Sequence, residues 1–295
     1  MSPDDIAAVS ELLESAQRVN GHRPLGEHKW LDLVQGGREG FAGVVAREPG
    51  AGAPVGYAQL SRGPGGWALE VVVDPGYPPA RDLAADVVRK ALEVVADEGG
   101  GHLHFWVPKP SPYHDAIAGA AGLSQGRDLL QLRRPLPAGP PPDLPVRRFQ
   151  PGQDEHAWLE VNNRAFRHHP EQGSWDLATL KAREGQPWFD PSGFLLHERD
   201  GRLAAFCWTK VHRGQGLGEI YVVAVDPDFA GQGLGEAMVL AGLDWLYRAG
   251  LRTAMLYVDA GNTPARRLYE KLGFHVDHVD RAYVGDIPPA GLTPP

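Results

Sequence analysis

Three glycines, Gly231, Gly233 and Gly235, stand at alternate positions just after an apolar stretch ending in Asp226-Pro227 (IYVVAVDPDF, 220–229). Glycine lets backbone N–H groups come close to a ligand. Apolar residues recur at Leu234, Ala237, Met238, Ala241 and Trp245, which predicts a helix starting at these glycines, with Gly250 suited to its C-terminal end. A helix N-terminus carries unpaired amides and a partial positive charge. Together they suit a pyrophosphate. The same glycines also suit a tight turn that serves packing alone. No Lys-Ser/Thr pair follows, so this is not a P-loop. The spacing Gly-x-Gly-x-Gly also departs from the dinucleotide fingerprint, and no strand ending in an acid follows the helix at the usual place.

Two other groups invite chemistry and hold less of it. Cys207 lies in an apolar strand (AAFCWTK), with no His or Asp partner evident in sequence, so it reads as a small buried apolar residue rather than a nucleophile. Adjacent histidines such as His168 and His169 rarely point at one ion, and no third ligand is spaced nearby, so no metal is expected.

The elements that would carry the glycine loop occur twice. RRPLPAGPPPDLPVRR (133–148) holds six prolines and neither helical nor strand period, and reads as an extended connection. On either side lies an α/β unit: a glycine-marked hairpin, a strand ending in Asp-Pro (Asp74-Pro75 and Asp226-Pro227), a helix, and a second strand (HLHFWV 102–107, TAMLYV 253–258). Each unit then has a short helix ending in Gly plus an apolar residue (AIAGAAGL 116–123, ARRLYEKLGF 265–274). Five elements matching in order indicate a duplicated domain. The expected divisions are an N-terminal domain over 1–134, a Pro-rich linker over 135–145 and a C-terminal domain over 146–295. The expected fold class is α/β, with a mixed sheet in each of two tandem domains.

The strand VVAVDP, the loop AGQGLG, the strand LYVDAGN and the helix ARRLYEKLGF resemble, in order and spacing, the GNAT superfamily of acetyl-CoA-dependent N-acetyltransferases. The resemblance implies that the loop and first helical turn (Ala230, Gly231, Gln232, Gly233, Leu234, Gly235, Glu236) hold the CoA pyrophosphate, with Arg267 and the Asn262 side chain nearby. It implies that Val223, Ala224 and Val225 pair with the pantetheine arm. Ala230 stands where the family usually has Arg or Gln, so one side-chain contact is missing while the backbone cradle remains. Acetylation of an amine needs the ammonium deprotonated, the thioester polarised and the leaving thiolate protonated. The resemblance gives these tasks to Glu219 as base, to backbone N–H groups near Val223, and to Tyr269 as acid. Direct attack within a ternary complex is expected.

The closest likeness within the superfamily is to tandem-domain members that acetylate the cysteine amine of cysteinyl-glucosaminyl-inositol. It is carried by VNNRAFRHHPEQG, WTKVH, LGEIYVVAVDP and LYVDAGNTPA. It implies substrate contacts from Glu171, Lys210, Glu219 and Tyr257, and from Glu27 in the first half. Acids suit the substrate ammonium, while Lys and Tyr suit hydroxyl groups. Another amine acceptor (an aminoglycoside, polyamine or peptide N-terminus) or a non-catalytic acyl-CoA-binding sensor are the alternatives.

The first half has lost the corresponding groups. Arg81 and Leu83 stand where the loop glycines belong, and Pro78 and Pro79 lack amide donors. Counting from Asp-Pro sets Trp67 opposite Glu219, and counting from the Gly-apolar end sets Ala118 opposite Tyr269. The first domain is therefore expected to be catalytically silent, with Val71, Val72 and Val73 as its only weak candidates for CoA contact. With 42% hydrophobic and 22% charged residues the chain is of ordinary globular composition, and no apolar run approaches the ~20 residues of a membrane span. A net charge of −8 argues against nucleic acid or an anionic membrane as partner. One cysteine and an N-terminus without a basic or apolar leader fit the cytoplasm, and the internal duplication favours a monomer.

Overall fold

A computed structural model describes residues 1–21, 24–34, 36–37, 39–50, 52–63, 65–77, 80–168 and 172–291, apart from the side chains of residues 27, 28, 31, 80 and 81. In chain order its elements are α1 (Pro3–Asn20), α2 (Glu27–Val34), β1 (Phe41–Arg47), β2 (Pro54–Gly63), β3 (Gly66–Val73), α3 (Ala80–Asp97), β4 (Gly101–Pro108), α4 (Pro112–Ala120) and β5 (Ser124–Pro135). There follow β6 (Arg147–Arg148), α5 (Glu155–Ala165), α6 (Leu177–Glu184), β7 (Phe194–Arg199), β8 (Arg202–His212), β9 (Leu217–Val225), α7 (Leu234–Arg248), β10 (Thr253–Asp259), α8 (Thr263–Lys271) and β11 (His275–Ile287).

The chain forms two compact units: residues 1–129 with 279–295, and residues 130–278. These differ from the segments 1–134, 135–145 and 146–295 expected from the prolines. The proline-rich stretch lies inside the second unit, and β5 and β11, the last strands of the two halves, are each divided between units.

In the first unit β1, β2 and β3 form an antiparallel meander, β3 runs parallel to β4, and β11 lies antiparallel to β4 from Asp280↔Pro108 to Ile287↔Gly101. A parallel pair needs a crossover, and α3 supplies it. Its Val87, Val88, Ala91 and Val95 pack on Leu60, Trp67, Leu69, Leu103 and Phe105. The opposite face takes α1, started by a Ser2–Asp5 capping box, through Val9, Leu12, Leu13 and Ala16 against Tyr57 and Val72. There Glu70 accepts from Gly26 N–H (2.8 Å) and from Lys29 Nζ (2.9 Å), so the half-buried carboxylate is paired.

In the second unit β6, β7, β8 and β9 are successively antiparallel, and β9 is parallel to β10 through α7. Gly242 lets α7 lie close on the sheet: a Cβ there would stand 2.5 Å from Cys207 Sγ and 2.8 Å from Ile220 Cδ1. The other face carries an aromatic core from β7, β8 and helices α5 and α6, with Phe194 stacked on Trp208 (4.4 Å) and Trp158 edge-on to both.

The duplication is visible hydrogen bond by hydrogen bond. Asp226 N–H donates to Ala204 C=O (2.8 Å), and Asp74 N–H to Val55 C=O (2.9 Å). Asp226 Oδ1 accepts from Asp228 N–H and Asp74 Oδ1 from Gly76 N–H, both at 2.9 Å. Phe274 N–H donates to Tyr269 C=O, as Leu123 N–H does to Ala118 C=O. The Asp-Pro dipeptide therefore marks the same side-chain-locked turn in both halves.

Candidate active site

The site is organised by one irregularity in β9. Opposite Trp208 the ladder pairs Val222, and opposite Thr209 it pairs Ile220, so Tyr221 is an extra residue without a partner on β8. A β-bulge bends its strand and changes which face the following side chains take. Thr209 and Ile220, with Gly218, face α7, as their contacts with the Gly242 and Leu246 positions show. Alternation then turns Lys210 and Glu219, which are ladder partners, to the opposite face, together with Met255, the parallel partner of Glu219. Tyr257, two residues on, shares that face.

Met255↔Glu219 is also the last pair of the β9–β10 ladder. Beyond it the two strands part, and the half-buried Val223, Ala224 and Val225 have backbone groups on that edge which β10 does not take up. A chain of peptide-like amides lying there would satisfy them.

β9 ends at the Asp226 turn, which is fixed by Arg164: its Nη1 donates to Asp226 Oδ2 at 3.0 Å and its Nη2 to Asp228 Oδ1 at 2.8 Å. The loop that follows is exposed from Ala230 to Gly233. Gly231 and Gly233 both have φ +76° and a Cβ at either would meet nothing within 4 Å, so the glycines serve backbone conformation and an open approach rather than packing. Gly233 caps α7 with no side chain over the helix end, and the first helical bond is from Ala237 N–H to Gly233 C=O. The amides of Leu234, Gly235 and Glu236 are thus left pointing out of the helix start. Gln232 Oε1 accepts from Arg199, and Glu236 is ion-paired with Lys271. Asn262 caps α8 by accepting from Ala265 N–H (3.2 Å), and Arg267 is exposed on the same helix.

Glu219 is buried, and its Oε2 lies 2.6 Å from Nε2 of His212, the last residue of β8. Lys210, also buried, places its ammonium 4.2 Å from the Trp188 ring centroid and 5.2 Å from that of Tyr221. Arg183 of α6 donates from Nε to the Tyr221 hydroxyl (3.1 Å) and stacks 3.8 Å over Trp175, holding the bulge residue by its tip. Tyr257 is exposed, and its hydroxyl accepts from Gln131 Nε2 at 2.8 Å. Tyr269 of α8 is buried beside Phe274; burial, and to a smaller degree Cys207, pushes its phenol up to about 12, so it holds its proton throughout the neutral range. Cys207 is fully buried and its thiol is likewise pushed up to about 12, so it has no thiolate to offer as a nucleophile.

Of the residues singled out by sequence, Glu219, Lys210 and Tyr257 share one face. Val223 to Val225 and the loop 230–236 run along the same strand and its turn. Glu171 and His169 lie outside the described residues. Glu27 opens α2, and its side chain lies outside them too. His212, Trp188, Tyr221 and Arg183 were not singled out. The one available signal was His212 standing two residues from Lys210 on a strand, hence on the same face.

The first unit lacks this geometry as well as these side chains. The β2–β3 ladder runs from Gly56↔Val73 to Gly63↔Gly66 without a bulge. The spacing that sets Tyr269 against Ala118 sets Met255 against His104, and Glu219 against Ala68 rather than Trp67. Counting back from Asp-Pro misplaced the equivalence by one residue because β9 carries the extra Tyr221. Trp67 instead packs into the α3 core. β3 and β4 stay paired through Glu70↔Trp106, two steps beyond the pair equivalent to Met255↔Glu219.

Residues 155–274 match the acetyltransferase (GNAT) family. The chain is 44% identical to the mycothiol acetyltransferase of Acidimicrobium ferrooxidans over 97% of its own length and 95% of that protein's. It is equally identical to that of Thermobispora bispora, over 96% of each. In fold it is similar to a tandem GNAT protein from the clavulanic acid biosynthesis pathway, with a TM-score of 0.73 at 18% identity over 98% of this chain and 97% of that one.

Proposed function

The chain belongs to the mycothiol acetyltransferases of the GNAT family, and from that premise we propose that it transfers acetyl from acetyl-CoA to the cysteine amine of cysteinyl-glucosaminyl-inositol, the last step of mycothiol biosynthesis. The observation that carries this reading is a buried carboxylate, Glu219, standing where β9 and β10 part, on the strand that leads into an uncapped helix N-terminus.

Acetyl-CoA suits the residues present. The outward amides of the first turn of α7 and the backbone at Gly231 and Gly233 suit its pyrophosphate, and the free edge at Val223, Ala224 and Val225 suits its amide-bearing arm. Asn262 and Arg267 flank that end from α8. When bound, acetyl-CoA supplies the activated acyl group. Backbone N–H groups near Val223 polarise its carbonyl; one such donor in a dry site is worth about 3 kcal/mol of barrier. Glu219 accepts the proton of the substrate ammonium, which frees the amine lone pair for attack. The Tyr269 phenol, held neutral by burial, donates its proton to the departing thiolate. Lys210 and Tyr257 meet hydroxyl groups of the acceptor, and Glu171 and Glu27 its positive charge. No acyl-cysteine is formed, since Cys207 is buried and protonated.

The first half acts as a silent copy. Without loop glycines, a bulge in the β2–β3 ladder or early strand divergence, Val71, Val72 and Val73 offer acetyl-CoA only a weak contact. The two copies of the repeat are residues 1–134 and 146–295 joined by 135–145, and the protein works as a cytoplasmic monomer. Among the described residues no helix is long and apolar enough to cross a membrane.

The test is CoA release from acetyl-CoA with cysteinyl-glucosaminyl-inositol, beside polyamines, aminoglycosides and peptide N-termini. Turnover confined to the cysteinyl conjugate is expected. Turnover only on another amine would refute the acceptor assignment, and no turnover on any would refute catalysis.

A further inference from the structure

The hydrogen bond between His212 and Glu219 has no role in the chemistry described so far. The two side chains come from opposite sides of the β8–β9 hairpin, whose turn closes through Gln215 N–H to His212 C=O (3.0 Å). Glu219 Oε2 and His212 Nε2 are 2.6 Å apart, close enough for a proton to pass between them. The carboxylate is the more enclosed partner, and the imidazole lies two ladder steps nearer the hairpin turn. Among the described residues no hydrogen bond forms to His212 Nδ1, so the far side of the ring is not tied to the protein.

We infer that His212 is the proton relay of the site, a reading that rests on Glu219 being the base. The ammonium N–H bond breaks and its proton forms an O–H bond on Glu219, leaving a neutral amine. The proton then moves from Oε2 to Nε2, restoring the carboxylate and making an imidazolium. Nδ1 gives its proton to buffer, and the neutral ring is reset by exchange with water. The acceptor nitrogen loses two protons for each acetyl moved: the first reaches solvent by this route, and the second, lost as the amide forms, balances the proton that Tyr269 gives to the thiolate. An enclosed carboxylate that could not pass its proton on would have to wait for water to reach it. Among the described residues, the other charged or titratable groups placed on this face are Lys210 of β8, Tyr221 of β9, Tyr257 of β10 and Arg183 of α6, and none of them hydrogen-bonds the imidazole. Lys210 is the cation nearest in the ladder.

His212→Gln keeps an amide that hydrogen-bonds Glu219 but cannot carry a proton through. It is expected to lower kcat by about a hundredfold, the low end of general acid–base effects, with the KM for both substrates unchanged. His212→Ala is expected to recover turnover when free imidazole is added. Wild-type kcat in His212→Gln, or a loss in His212→Ala that imidazole does not restore, overturns the relay. Glu219→Gln is measured alongside: full activity there refutes the base itself, whereas an inactive Glu219→Gln with a fully active His212→Gln refutes the relay alone. A wild-type chain that acetylates no amine refutes both.

Discussion

Lys210 and Glu219 are direct partners across the β8–β9 ladder, and both are buried on the face opposite α7. They are there because β9 contains one residue more than β8 requires. Without Tyr221 the alternation of the strand would turn Glu219 toward α7, into the apolar layer of Ile220, Leu246 and Cys207. The bulge thus selects the face for the carboxylate and also opens the strand edge beside it. The β2–β3 hairpin of the first half, which has no bulge, has neither.

Tyr269→Phe is expected to lower turnover with little change in the KM for acetyl-CoA. The phenol's proton is held more tightly in the folded chain, about 12 against an ordinary 10. Its stabilisation is therefore complete below 10 and is lost as pH climbs toward 12. The Phe variant should lose stability less steeply over that interval in pH-dependent denaturation. An unchanged rate would remove Tyr269 from the mechanism.

Gly233→Ala forces a side chain into φ +76° at a position where no protein atom lies within 4 Å. The strain should cost about 1 kcal/mol. The added methyl and shifted amides should raise the KM for acetyl-CoA by about tenfold, roughly one hydrogen bond to a charged group. Gly235→Ala, whose Cβ would meet Val225 at an ordinary 3.8 Å, is the comparison for stability. Equal thermal stability and equal KM in both variants would argue that the loop holds no ligand.

Arg164→Met leaves the buried Asp226 carboxylate without its ion pair and should destabilise by about 3 kcal/mol in urea unfolding. Arg202→Met removes an exposed partner of Asp228 and a contact with the Phe229 ring, and should shift the urea midpoint far less than Arg164→Met. Equal losses would show that the Asp-Pro turn does not depend on Arg164.

Cys207→Ala should keep wild-type kcat, because a fully buried thiol pushed up to about 12 does not attack a thioester. It should lose about 1 kcal/mol of stability as its contact with α7 is trimmed. Abolished turnover in a folded variant would instead indicate an acyl-cysteine.

Much of this site was legible in the sequence because its signals are local. Asp226-Pro227, the alternate glycines and the apolar period after them mark the turn and helix start directly, and the resemblance picked out Glu219, Lys210 and Tyr257, although only the strand ladders put them on one face. What sequence did not reveal is non-local. His212 meets Glu219 only once the hairpin closes, and Arg183 reaches Tyr221 from a helix nearly forty residues upstream in the chain. The bulge leaves no compositional mark, which is why Trp67, and not Ala68, was set against Glu219. The prolines suggested a domain boundary but could not show that β5 and β11 are divided between the compact units.

The most direct test of Glu219 as the base is the pH dependence of kcat for Glu219→Gln with the acceptor on which the wild-type chain is active. About a hundredfold loss at neutral pH is expected, shrinking as alkaline pH forms the free amine without help. A variant that matches wild type at neutral pH, or whose loss is the same at every pH, would contradict it.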